Sequence, residues 1–221
     1  MSITSAINLF RQLTVDESQV AHQGQPHVVN ETCLDLLLIE MVQVLRTSVA
    51  ETSFAVPHGG LPPSDSLELP QSSESTTARS NEEQERATEL LYYKVERVGF
   101  RIGQRLAERY AKDRPRFTDT LDIVKFICKD IWIKLFHKQV DNLKTNHRGV
   151  YILQDNKFRW LLRMSGSEGV AHATQQAAPY LWFPCGVIRG ILANLGVDST
   201  VSVKETNLPQ CAFQIKINRA V

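Results

Sequence analysis

The chain has 221 residues, 43% of them hydrophobic, and 25 Lys and Arg against 24 Asp and Glu leave a formal charge of +1. That length suits one large or two small domains, and the balanced charge provides no global field to draw it to nucleic acid. No run of about 18 apolar residues occurs, and MSITSAINLFRQL lacks the basic and apolar regions of a signal peptide, so a cytoplasmic protein without a membrane span is expected.

Residues 1–30 hold a short apolar cluster (Ile7, Leu9, Phe10, Leu13) followed by polar sequence and read as a loosely ordered segment. A first helix is expected from Thr32 to Ala50, with Asn30 or Thr32 as its cap. On it Leu34, Leu37, Leu38, Met41, Val42, Val44, Leu45 and Val49 fill an arc of roughly 160°, where a surface helix needs only about 100°. Leu36 and Ile39 fall outside even that arc. Such a helix is too apolar for a single neighbour.

Composition then changes. The stretch 51–81, with PHGGLPPSDSLELPQSSESTTARS, is rich in Pro, Gly, Ser and Thr and reads as a flexible insertion. From Ser64 to Glu85 six acids stand against Arg79, giving −6 + 1 = −5. The serines leave two readings, a plain spacer or a phosphorylated one. SNEE, from Ser80, has the spacing of a capping box opening a second helix that continues to Ala111 or Lys112, where DRPRF stops it. Ala87, Leu91, Val95, Val98, Ile102 and Leu106 make its main apolar stripe, and Tyr93, Phe100 and Ala107 a thinner one. Gly99 and Gly103 each cost about 1 kcal/mol relative to Ala, and their four-residue spacing predicts close approach of another backbone.

A third helix is expected from Thr118 or Asp119 to about Gln139, apolar over half its circumference. After it comes the block KQVDNLKTNHRGVYILQDNKFRWL, dense in groups able to do chemistry. Val140–Lys144, VYIL and KFRWLLRM read as strands, with TNHRG and QDN as turns in which Asn146 and Gly149 tolerate positive φ. His147 then belongs to a turn and His137 to the end of the third helix. No nucleophile, base and orienting group converge, so neither catalysis nor metal binding is expected. SGSEGVAHATQQAAP, holding His172, reads as a loop, and FPCGVIRGILANLG as a short helix with Pro184 near its first position and Gly196 as its stop. The end is TVSVKE, a TNLP turn, and QCAFQIKI as a half-buried strand.

The four cysteines show neither zinc spacing nor a disulfide pattern. Cys33, Cys128 and Cys211 sit in apolar runs and should act as small hydrophobes. Cys185, in a first helical turn, would meet the helix dipole but has no partner base, so a reactive thiol is not expected there.

GFRIGQRLAERY, DTLDIVKFICKDIWIKLFHKQVDNLKTNHRGVYILQDNKFRWL, PCGVIRGILANLGV and CAFQI resemble the subunit 6 family of TRAPP, the trafficking protein particle complex. The resemblance spans the first helix and then Leu90 to Ile217. It implies an α/β (α+β) TRAPP small-subunit fold, helices packed on one face of a four-stranded antiparallel sheet. Residues 31–50 would be helix one of the domain, 51–81 an insertion and 82–221 the remainder. It further implies a non-catalytic, cofactor-free scaffold that pairs with subunit 3 through its first two helices and contacts other TRAPP small subunits. A Rab GTPase would be engaged only through the assembled complex, peripherally on Golgi and ER-derived membranes. Leu34, Leu37, Leu38, Met41 and Leu45, with Val95, Val98, Ile102 and Leu106, are expected across the core and the dimer seam. The sister subunit 3 carries an acylated cysteine before its third helix; here that region reads RPRF, so no acyl chain is expected there.

Three other readings stand beside this one. Lys94, Arg97, Arg101 and Arg105 form a basic stripe able to touch anionic lipid, making the chain a membrane-surface module. A small-ligand carrier would need an apolar pocket, and for haem an axial ligand such as His137 or His172. An enzyme would need the missing constellation.

Overall fold

The computed structural model describes residues 30, 32–54, 73–112, 114–146, 148–164 and 169–218. The readings placed on residues 1–29 and 55–72, and on His147, lie outside them. The chain divides into two compact units, and the boundary falls within the first helix between Val44 and Leu45.

Helix α1 (Thr32–Phe54) is capped by Asn30, whose Oδ1 accepts the Thr32 N–H at 2.9 Å. It passes the expected end at Ala50 by four residues, because ETSF contains no breaker and Pro57 is the first. Helix α2 (Ser73–Ala111) corrects the expected capping box: Ser80 lies inside it. SESTTARS holds neither Gly nor Pro, so nothing in that stretch obliges the helix to begin at Ser80. The helical ends therefore take 51–54 and 73–81 away from the expected flexible insertion.

Asp119 opens α3 (Thr120–Phe126), its carboxylate accepting the Asp122 N–H at 2.7 Å. The third helix is then interrupted by a π turn at Ile127–Ile131 before α4 (Trp132–Phe136). Its last helical residue is Phe136, three residues earlier than Gln139, and His137 caps it in the left-handed region with φ 58°. Beyond that stop, the Val140 N–H returns to the carbonyl of Cys128 inside the π turn, at 3.1 Å.

Strands β1 (Asn142–Thr145), β2 (Val150–Asp155), β3 (Ser199–Asn207) and β4 (Gln210–Ile217) form one antiparallel sheet in the order β1-β2-β4-β3. In the β1–β2 turn Asn146 accepts the Arg148 and Val150 N–H groups, and Gly149 has φ 89°. Paired residues share a face, so Leu153, Phe213 and Val203 line up with Tyr151, Ile215 and Val201 on the inner side. Lys144, Lys216, Thr200 and Ser202 lie exposed on the other. Ala212, also on that other face, is buried because it is small enough to be covered by its neighbours.

KFRWLLRM is not a strand. It forms a turn and a 3-10 helix (Leu161–Arg163), because Phe158 and Leu161, three apart, both point into the core, as turn periodicity allows and strand periodicity does not. The region read as a loop and a short helix is a single helix, α5 (Val170–Asn194), with Pro179 and Pro184 inside it. An interior proline costs about 3 kcal/mol. Burial of Ala173, Ala177, Leu181, Phe183, Ile188 and Ile191 offsets it. Gly196, φ 81°, ends the helix as expected, with the Gly196 and Val197 N–H groups bonded to Ala193 and Leu192. The core is aromatic, with Trp132 stacked among Phe136, Phe158 and Phe213 at 4.5 to 6.2 Å.

Candidate interaction surfaces

The sharpest local geometry lies where α2 meets α5. A Cβ on Gly99 would run into the carbonyl of Phe183, and one on Gly103 into that of Val187. The relation is reciprocal: a Cβ on Gly186 or Gly190 would strike the carbonyl of Glu96 or Phe100. Contacts advance in the same chain direction on both helices, so they run parallel, backbone on backbone. Glycine is required at these four places by proximity, as the spacing of Gly99 and Gly103 implied.

Beside that crossing Glu96, only 4% exposed, receives both Nε and a terminal nitrogen of Arg189, the latter at 2.8 Å. The guanidinium also lies over the Phe100 ring at 4.5 Å. Its hydrogen bond to Glu96 raises the Arg189 pKa, with burial opposing. Tyr92 meets Trp182 edge to face at 5.5 Å, and burial pushes its hydroxyl pKa upward.

A second polar cluster ties α4 to the sheet. Buried Asp155 accepts Trp132 Nε1 at 3.0 Å and Lys138 Nζ at 2.6 Å, and Lys138 also reaches Asp141 at 2.8 Å. Desolvation acts to raise Asp141, but the Lys138 hydrogen bond, the Asn156 N–H and the charges of Lys138 and Lys157 together hold it below the usual carboxylate value. Lys138 is likewise pulled down by desolvation and raised on balance by both carboxylates. These polar residues of the block are thus structural ties between elements.

Cys128 and Cys211 are buried as expected, whereas the places of Cys33 and Cys185 differ from expectation. Cys185 lies mid-helix and buried, away from any helix N-terminus, while Cys33 is exposed. Burial raises Cys128 to about 12 and Cys185 and Cys211 further. Among the described residues no three His, Cys, Asp or Glu side chains gather as a metal site requires, and no helix is long and apolar enough to cross a membrane.

The profile of the transport protein particle (TRAPP) component family matches residues 34–218. The chain belongs to that family. It is 54% identical over 127 residues to human trafficking protein particle complex subunit 6B, covering 57% of this chain and 78% of that one. Human subunit 6A is 44% identical over 126 residues, covering 57% and 77%. An uncharacterized Schizosaccharomyces pombe protein is 31% identical over 199 residues, covering 90% and 68%. Among solved structures, a subunit 3 from Naegleria fowleri covalently bound to palmitic acid aligns with TM-score 0.50 at 15% identity, over 66% of this chain and 93% of that one. The TRAPP fold and a role as a subunit of the TRAPP vesicle-transport complex follow.

Within this TRAPP subunit the residues assigned to core and seam divide by burial. Leu38, Leu45 and Val95 are buried, and Leu34, Leu37, Met41, Val98, Ile102 and Leu106 are half-buried. Among the described residues the large hydrophobic side chains left in solvent are Leu36 (60%), Ile39 (41%) and Val44 (37%) on α1, and Tyr92 and Tyr93 on α2. Two of these, Leu36 and Ile39, are the ones lying outside the apolar arc. In the basic stripe Arg97, Arg101 and Arg105 are exposed. Arg97 rests on Tyr93 and bonds its hydroxyl at 3.1 Å, Arg105 pairs with Glu108 at 3.0 Å, and half-buried Lys94 bonds Ser48 at 3.2 Å.

Proposed function

We propose that this chain is a non-catalytic scaffold of TRAPP that pairs with a subunit 3 protomer through apolar faces on its first two helices. The observation that carries the reading is the triplet Leu36, Ile39 and Val44, large apolar side chains open to solvent on a helix whose Leu38, Val42 and Leu45 are already buried. Helical spacing sets the triplet on the side of α1 away from those three. Burying such a face is what association supplies, and an obligate interface would cover on the order of 2,000 Å² or more. In the assembled complex the chain would support ER-to-Golgi and Golgi transport and activation of a Rab GTPase by other subunits, as a cytoplasmic particle peripheral to those membranes.

The test is co-expression with a subunit 3 chain. A stable heterodimer is expected by size exclusion, and Leu36→Glu or Ile39→Glu should abolish it while leaving the helical circular dichroism in place. A monodisperse monomer indifferent to subunit 3 would reject the pairing. The exposed Arg97, Arg101 and Arg105 favour a second reading, contact with anionic lipid worth about 1 kcal/mol per base. Equal co-sedimentation with neutral and anionic liposomes would dismiss it.

A further inference from the structure

The turn after α2, the start of α3 and the π turn surround an open groove of about 380 Å³, within the size range of ligand pockets. Its apolar lining is exposed Pro115 and half-buried Phe117, whose ring lies 5.3 Å from that of buried Phe126. Among the described residues four cations and two carboxylates stand around it, 4 − 2 = +2. The carboxylates are already engaged. Asp130 pairs with Arg114 at 3.2 Å, and Arg114 also covers the Phe126 ring at 5.0 Å. Asp122 accepts from the Thr118 hydroxyl and faces Lys125 at 3.8 Å. Arg116 and Lys129, both exposed, pair with no carboxylate among the described residues.

We propose that this groove receives an acidic peptide segment of a partner protein, its carboxylates on Arg116 and Lys129 and an apolar side chain on Pro115 and Phe117. Charge complementarity names the sign of the occupant, since the surplus positive charge is concentrated on those two side chains. The apolar floor asks for a side chain as well as a charge. A polyphosphate offers no apolar group to that floor, and a flat bilayer cannot follow a concave one. None of the α1 and α2 residues proposed for pairing takes part, so this site stands or falls separately from that reading.

The experiment is fluorescence anisotropy of the full-length chain with a fluorescein-labelled eight-residue peptide of alternating Glu and Phe. Lys-for-Glu and Ser-for-Phe versions serve as controls, and phosphatidylserine vesicles and inorganic phosphate as competitors. Saturable binding of the Glu/Phe peptide alone is expected, weakened about tenfold in Arg116→Glu/Lys129→Glu and strengthened in Asp130→Asn, which frees Arg114. If the double reversal fails to fold by circular dichroism, Arg116→Gln/Lys129→Gln carries the test, with a smaller loss. Absence of saturable binding, equal binding of all three peptides, or affinity unchanged in the groove variants would overturn the proposal. Displacement by vesicles or phosphate at comparable concentration would overturn it too, by assigning the groove to a headgroup or a free anion.

Discussion

Glu96 and Arg189, 93 residues apart in sequence, meet in a two-point ion pair beside the glycine crossing of α2 and α5. The carboxylate is almost wholly out of solvent while the guanidinium keeps one side in it, so the two partners are not equivalent. Removing the arginine strands a buried charge; removing the carboxylate leaves a cation that water reaches. Arg189→Ala is therefore expected to destabilise by about 3 kcal/mol and Glu96→Gln by less, measured by urea unfolding. Replacing both, as Glu96→Leu/Arg189→Met, should recover most of the loss. Additive losses in the double variant would show that the pair is not the unit of stability.

The crossing itself admits no side chain. At Gly103 and Gly186 the atoms an added Cβ would meet are backbone, which cannot swing aside. Gly103→Ala or Gly186→Ala should therefore force the helices apart at a cost of about 1–3 kcal/mol. Gly196 differs, with open space around it but φ 81°, so Gly196→Ala should cost about 1 kcal/mol through backbone strain. Thermal unfolding unchanged in Gly103→Ala and Gly186→Ala would contradict the close approach, and unchanged in Gly196→Ala the strain.

Lys138 links stability to pH from both ends. Asp141 is held below its ordinary value of 3.8, so its contribution is present above that value and is lost as pH falls through the folded pKa. Lys138 is held above 10.5, so its contribution is present below that value and is lost as pH rises through the folded pKa. A plateau between about pH 4 and pH 10 is expected, falling at both ends. Lys138→Met should lower the plateau by about 2–3 kcal/mol, because Asp155 stays buried with one cation fewer, and should flatten both shoulders. Unfolding free energies taken across that range in the two proteins decide it.

Periodicity carried the legible elements. α1, most of α2 and strand β4 followed from repeats of 3.6 and 2, and the glycine spacing on α2 announced the crossing. The missed elements lack such a signal. The first half of α5 is Ala, Gln and Thr interrupted by Pro179, and small side chains give no contrast between faces. Its helicity comes from packing. The π turn at Ile127–Ile131 is invisible because an extra residue in an already wide apolar face leaves the pattern readable as plain helix. KFRWLLRM misleads in the opposite way, since β-favouring aromatics there serve a compact turn. Of the surfaces, the surplus apolar character of α1 was legible, including the places of Leu36 and Ile39. The Glu96–Arg189 pair and the groove were not, because each joins residues brought together only by folding; an acid set among the apolar positions of α2 was the one available hint.

Cys33 offers a reporter for the exposed face of α1. It stands three residues before Leu36, close to it on the helix surface, and it is exposed while the other three thiols are buried. At pH 8 a group raised to about 12, such as Cys128, is thiolate only about once in ten thousand molecules, and Cys185 and Cys211 less often still. Ellman's reagent should therefore titrate one thiol per native chain and four after denaturation, and Cys33→Ser should abolish the native reaction. If a subunit 3 protomer covers this face, the same thiol should react at least about tenfold more slowly in the co-purified complex, as burial limits access. A rate unchanged by the partner would place the contact elsewhere on the chain, and rapid titration of more than one native thiol would contradict the burial of Cys128, Cys185 and Cys211.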